Sequence, residues 1–289
     1  MSKHLPVLLD EVIQFLDPKP GGRFIDATLG AGGHARAILE RTSPDGRMAA
    51  IDQDESALAS AREMLESFGS RLVYVHANFR EVRAIAEAHS FTGCDGVLAD
   101  VGMSSMMVDD PSRGFSFMRE GPLDMRMDRS QPLTAAEVVN HYSEKEIADI
   151  LYTCGEERRS RPIARSIVRS RPLARTTDLV AAIQRVSGAP RYGQIHPATR
   201  TFQALRIYIN DELKSLETFL DSAGAVVRPG GRVVVIAFHS LEDRIVKQKF
   251  RASAVPGRVL TKKVVTASDE EVQRNPRARS AKLRAWERS

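Results

Sequence analysis

Cysteine is nearly absent from the 289-residue chain, which carries two, Cys94 and Cys154, far apart and in unrelated contexts. A pair so placed makes neither a disulfide framework nor a zinc-binding spacing, and it points to a reducing compartment. The seven histidines show no metal-ligand spacing either, so no metal site is expected. A long apolar run is also missing. The opening stretch MSKHLPVLLDEVIQFL reaches Asp10 and Glu11 too soon for a signal peptide or a membrane span. No membrane association is expected, and the cytoplasm is the expected location. Internal repeats, low-complexity segments and a credible Ser-His-Asp order are absent as well. What the chain does have, at 42% apolar residues, is ample material for one large or two modest domains.

The most informative stretch runs from Arg23 to His34, RFIDATLGAGGH, a short apolar strand that ends on Asp26 and breaks into a glycine-rich turn. Gly30, Gly32 and Gly33 carry no side chain that would keep backbone away from a ligand. Asp52 closes a second apolar strand, RMAAID, where a carboxylate can accept both hydroxyls of a ribose. The helix opening at His34 turns its first N–H groups toward the same ligand. A nucleoside-containing cofactor is therefore expected, and two kinds compete. Gly30, Gly32 and Ala35 fit the loose dinucleotide pattern G-x-G-x-x-G/A. Asp26 argues against a dinucleotide, because it would set its own negative charge against a pyrophosphate. The cationic amino-acid end of S-adenosylmethionine would instead gain from it.

More strands of the same sheet follow. RLVYVHA, residues 71–77, alternates and ends at Asn78 and Phe79, where an amide and a ring can flank an adenine. DGVLAD, residues 95–100, is a short buried strand whose last residue is again acidic. Residues 54–68 space Leu58, Ala61, Met64, Leu65 and Phe68 as one helix face. The repeated β-α pattern gives the α/β class, with a doubly wound, mostly parallel sheet whose strand ends share a ligand-binding edge. The next strand that fits, RPGGRVVVIAF at 228–238, comes roughly 130 residues after Asp100, far beyond an ordinary crossover. Short helices are expected between them at 134–140, 143–151, 162–170 and 177–186, then a longer one at 197–223. The reading is a cofactor-binding domain of residues 1–103 and 210–289, interrupted by a helical substrate-recognition subdomain at 104–209. A stabilising or dimerising insertion, and with it a homodimer, stays open. Strands at 260–267 and 280–287 close the sheet.

Net charge is +5, but its distribution says more. Residues 244–288 hold 13 Lys and Arg against 4 Asp and Glu, so the rest of the chain is net acidic. A second cluster gathers Arg158, Arg159, Arg161, Arg165, Arg169, Arg171 and Arg175. Two such clusters favour a polyanion, and nucleic acid is the usual one. Six methionines between Met103 and Met127 read as adaptable packing.

With S-adenosylmethionine as cofactor, the chemistry is methyl transfer by direct displacement, which needs alignment above all. Methylation of cytosine C5 normally needs a cysteine nucleophile, and neither Cys94 nor Cys154 stands in a Pro-Cys setting. An exocyclic amine needs a hydrogen-bond acceptor instead. Asp100 is placed for that role or for holding the cofactor, although its sequence, DVGMSS, lacks the Pro-Pro-aromatic continuation common in DNA amino-methyltransferases. His239 and Ser240 follow the neighbouring strand and are candidates to contact the base or its sugar.

HLPVLLDEV, DATLGAGGH, AIDQD, ANF, DVGMSS with RGFSF and GPLDMRMD, HPATRTFQALRIYINDEL, GGRVVVIAFHSLEDR and NPRARSAKLR together span nearly the whole chain. In these motifs it resembles the bacterial cytosine-N4 methyltransferases of small-subunit (16S) ribosomal RNA. The resemblance implies a class I Rossmann-like methyltransferase with an inserted helical domain, acting on the N4 amine of a decoding-centre cytosine in the small ribosomal subunit. It carries cofactor contacts onto Gly32, Gly33, His34, Asp52, Phe79 and Asp100. A further contact falls on Met107, where many relatives have glutamine; methionine cannot donate an amide hydrogen bond, so packing is the expected role there. Thr28 stands where methyltransferases at large often have the first glycine of the turn.

Overall fold

A computed structural model describes residues 5–190 and 193–289. His4, with which the first of the motifs above begins, lies outside them. The chain forms two compact units, one of Met1–Gly102 with Leu213–Ser289 and one of Met103–Glu212.

The strands of the first unit are β1 (Arg23–Asp26), β2 (Arg47–Asp52), β3 (Leu72–His76), β4 (Cys94–Asp100), β5 (Val227–Ala237), β6 (Gly257–Val259) and β7 (Lys282–Arg288). They lie in the order β3-β2-β1-β4-β5-β7-β6. Pairing is parallel from β3 through β5, and β7 runs antiparallel to both of its neighbours. Four helices fall among the early strands: α1 (Leu9–Leu16), α2 (Gly33–Arg41), α3 (Glu55–Met64) and α4 (Val82–Ala88). The second unit carries α5 (Ser105–Asp109), α6 (Ala135–His141), α7 (Glu144–Gly155), α8 (Ser160–Arg169), α9 (Thr176–Ser187) and α10 (Thr199–Ile209); α11 (Glu212–Val226), α12 (Ser240–Arg251) and α13 (Asp269–Arg274) follow.

The strands are apolar on both faces, as strands covered on both sides must be. Ile25, Ile51, Val97, Val233 and Val235 pack with α4, α11 and α12 through Ile85, Phe219 and Val246. The residues that alternate with them along the strands, Phe24, Met48, Leu98, Val234 and Ile236, pack on the other face with α1, α2 and α3 through Leu16, Ile38 and Leu58. The side-chain period of two thus divides one apolar sequence between two helical layers. Asp54 starts α3 by accepting the Ser56 N–H at 3.0 Å.

The helical unit has its own core, built from Ile147, Leu151, Ile163, Ile167, Leu179, Ile183, Phe202 and Leu205. Ser143 and Glu146 form a capping box at the start of α7. The single helix expected at 197–223 is in fact two, α10 and α11. Between them Asn210 accepts the Met127 N–H at 2.7 Å and donates to the Met125 carbonyl at 2.8 Å. Asp211 then turns left-handed, at φ 48°. The chain restarts on Glu212, whose carboxylate takes the Arg206 guanidinium in a fork at 2.8 and 2.9 Å. The strand expected at 260–267 is also displaced. The paired segment is Gly257–Val259, and the ladder breaks where the Thr261 hydroxyl, rather than a backbone carbonyl, accepts the Ala285 N–H at 3.1 Å. Only Val265 resumes pairing, in a single bridge to Leu283.

Candidate active site

In the first unit the chain winds outward from β1 through β2 to β3, then returns to lay β4 on the other side of β1. Such a reversal opens a crevice at the carboxyl ends of the flanking strands. Asp26 and Asp100 end those two strands, and Asp52 ends the next one out. Three carboxyl groups therefore stand along one edge because each terminates an apolar strand there.

Backbone N–H groups hold two of them. Thr28 donates to Asp26 Oδ1 at 3.2 Å, while Gly30 and Asp54 donate to the two oxygens of Asp52 at 2.8 and 2.9 Å. Gly30 makes its bond at φ 52°, a conformation that costs glycine little. Gly32, at φ 83°, opens α2 without a side-chain cap, and a Cβ there would meet Leu65 Cδ1 at 3.0 Å. The turn is tied across to β4, since the Asp100 N–H donates to Thr28 Oγ1 at 2.6 Å. His34 is buried with Nε2 2.8 Å from the Val7 carbonyl and Nδ1 3.8 Å from Asp100 Oδ2. With a carbonyl as its partner, Nε2 carries the hydrogen, and in the neutral ring Nδ1 presents a lone pair toward Asp100.

Charge at this edge is costly. Burial pushes the Asp26 carboxyl, 1% exposed, up to about 7; the Thr28 N–H opposes the shift and the Asp52 charge adds to it. Asp52 is raised to about 6, again by burial, against the N–H groups of Asp54 and Gly30. Asp100 is raised to about 8 by burial, then by the charges of Asp26 and Glu242. Its side chain is 25% exposed, yet Oδ1 is enclosed and has no hydrogen-bond partner among the described residues. A cation bound at this edge would favour the ionised carboxyls that burial disfavours. A pyrophosphate would add charge of the sign already in excess, so the donor set fits S-adenosylmethionine and does not fit a dinucleotide.

The other sequence-derived candidates fall as follows. Gly33 packs against Pro6, which a Cβ would approach to 3.3 Å. Phe79 is 9% exposed and meets Phe219 edge-on at 5.4 Å, leaving only a margin of the ring for an adenine. His239 caps α12, with Nδ1 accepting the Glu242 N–H at 3.4 Å and Nε2 3.0 Å from Glu242 Oε1. Ser240, the first residue of that helix, is exposed. Met107 lies in the helical unit, 3% exposed within its apolar core, so its side chain packs. Two residues were missed. Thr28 joins the turn to Asp100, and Glu242 is buried beneath the edge with its carboxylate on the Phe238 and His239 N–H groups at 2.8 and 3.2 Å. The capping-box spacing from His239 to Glu242 was the available signal.

A doubly wound sheet with an antiparallel β7, a glycine turn and acidic strand ends at its reversal defines the class of nucleoside-cofactor methyltransferases. Within that class the chain belongs to the MraW methylase family, whose model matches residues 1–289. It is 53% identical over 290 residues to the ribosomal RNA small subunit methyltransferase H of Nostoc sp. (strain PCC 7120), covering 99% of this chain and 92% of the relative. Proteins of the same name from Dehalococcoides mccartyi (strain BAV1) and Acidobacterium capsulatum are each 49% identical over 99% of this chain, with 86% and 99% of their own lengths covered. The chain is a methyltransferase, and its cofactor is S-adenosylmethionine.

Proposed function

We propose that the chain transfers the methyl group of S-adenosylmethionine to the N4 amine of a decoding-centre cytosine in 16S ribosomal RNA, within the small ribosomal subunit of the cytoplasm. The names of the relatives support the substrate, and the carboxyl edge supports the chemistry. The cofactor supplies an electrophilic methyl on a sulfonium, and the chain supplies position. Asp52 holds the ribose hydroxyls, Asp26 meets the ammonium, and the turn from Gly30 to Gly33 with His34 lies along the cofactor. Phe79 borders the adenine.

The observation that carries the acceptor is the enclosed Oδ1 of Asp100, without a hydrogen-bond partner among the described residues, beside the strand reversal. A cytosine amine is conjugated with its ring, and an acceptor on its N–H loosens that conjugation. Its methylated form must then lose a proton, which the ionised form of the Asp100 carboxyl can take, burial having made that carboxylate a stronger base. Replacing Asp100 by Asn separates the two roles open to it. Transfer lost with S-adenosylhomocysteine affinity kept assigns the amine, and loss of both assigns the cofactor.

The helical unit recognises RNA in this reading, supported by Arg161, Arg165 and Arg169, which stand one turn apart on the exposed side of α8. Arg165 pairs with Glu144 at 3.2 Å. The deciding experiment is labelled-methyl transfer to small subunits lacking modification, followed by nucleoside mass spectrometry. N4-methylcytidine is the expected product. Label at another atom, or no transfer by protein that binds S-adenosylhomocysteine, overturns the proposal.

A further inference from the structure

A second cavity lies in the first unit, between the C-terminal half of α12, β6 and β7. Its volume is about 220 Å³, and its walls include Lys247, Arg251, Lys262, Arg284, Thr261 and Phe250. No carboxylate of the described residues lines it. Arg284 is already neutralised by Asp243, which accepts from its Nε and terminal N–H groups at 2.6 and 3.2 Å. The other three cations have no ion-pair partner among the described residues.

The positive charge of these three is solvent-exposed and not offset by an acidic neighbour among the described residues. Lys247 and Arg251 are one turn apart on α12, where like charges repel. The negative end of the helix dipole accounts for a cation at Arg251 but not for Lys262, which enters from the loop beyond β6. The Thr261 hydroxyl accepts the Ala285 N–H, and its own hydrogen has no acceptor among the described residues. Three exposed cations lining one pocket with a buried hydroxyl donor are the groups that recognise a phosphate. At roughly 30 Å³ per water the cavity equals about seven waters, room for a phosphodiester and part of its sugar.

We infer that this cavity is a phosphate site, and that its occupant is a backbone phosphodiester of the RNA being methylated. The occupant rests on the RNA reading above; the phosphate site does not. The test compares the full-length protein with its Lys247→Gln/Lys262→Gln variant, leaving Arg284 in place because it is tied to Asp243. One assay measures affinity for unmodified small subunits against salt at fixed magnesium. The other measures the rise in unfolding temperature given by inorganic phosphate over chloride at equal ionic strength. An unchanged S-adenosylhomocysteine affinity shows that the variant is folded.

Losing one phosphate contact lowers the slope of log affinity against log salt by about 0.7 to 0.9, a five- to eightfold weakening at 0.1 M. That change, with the phosphate-specific stabilisation lost, is the expected result. Loss of the stabilisation with an unchanged slope assigns the cavity to a free phosphate and overturns the RNA occupant. No change in either overturns the site. Wild-type protein that fails to bind or methylate small subunits counts against the function proposed above, and the phosphate assay still decides the cavity.

Discussion

Replacing Asp26 by Asn removes one negative charge from the edge while keeping shape and an oxygen for the Thr28 N–H. The wild-type carboxyl, near 7, is about one-eleventh ionised at pH 6 and ten-elevenths ionised at pH 8. If its ionised form meets the ligand's ammonium, the two proteins bind S-adenosylhomocysteine similarly at pH 6 and diverge as pH rises. The ratio of their dissociation constants should grow about tenfold from pH 6 to pH 8, or about 1.4 kcal/mol. Titration of the ligand is common to both proteins and cancels in the ratio, which calorimetry gives directly. Stability runs the other way. A carboxyl held above its unfolded value is stabilising only while protonated, so its contribution fades as pH climbs from about 4 through 7. Without ligand, the Asn variant should therefore be more stable than wild type at pH 8, by about 2 to 4 kcal/mol, with little difference at pH 4. A flat ratio of dissociation constants between pH 6 and 8, or a less stable variant at pH 8, would refute the reasoning.

Asp52→Ala should weaken S-adenosylhomocysteine by about 1.5 to 3 kcal/mol, roughly ten- to 150-fold, through lost charge-assisted bonds; unchanged affinity in calorimetry removes the ribose assignment. Asn210→Ala removes the side chain that accepts from the Met127 N–H and donates to the Met125 carbonyl and should cost about 2 to 4 kcal/mol in urea unfolding, whereas a loss under 0.5 kcal/mol denies the clamp. Gly32→Ala forces an alanine to φ 83° against Leu65, so about 1 to 2 kcal/mol of stability should be lost, with weaker cofactor binding measured alongside.

The strands of the sheet were legible because each is an apolar run closed by a residue that belongs in water, Asp26, Asp52 and Asp100 among them. The first two helical layers could be read for the same reason, since Leu58 and Ala61 repeat at the helical period on a short span. The break between α10 and α11 was not legible. Periodicity runs on through Ile209 and Leu213, and what stops the helix is a loop 80-odd residues earlier reaching Asn210. The misplaced strand at 260–267 has a similar cause, because Thr261 and Ala285 meet only once β7 is in place. At the site, the carboxyl edge followed from strand ends, and Gly30 from its turn. The face that Phe79 gives to Phe219 did not, because it depends on a helix separated from it by the whole insertion.

The parallel partner of β4 begins at Val227, so 126 residues separate the two strands. A ribosome adding roughly 5 to 20 residues per second takes about 6 to 25 s to make that stretch. Through that interval β4 is an unpaired apolar edge, the kind of surface on which nascent chains aggregate. The helical unit is synthesised meanwhile, and its contacts can form as it emerges. The sheet therefore waits on β5, which is made only after the whole helical unit, before the β4 edge is closed.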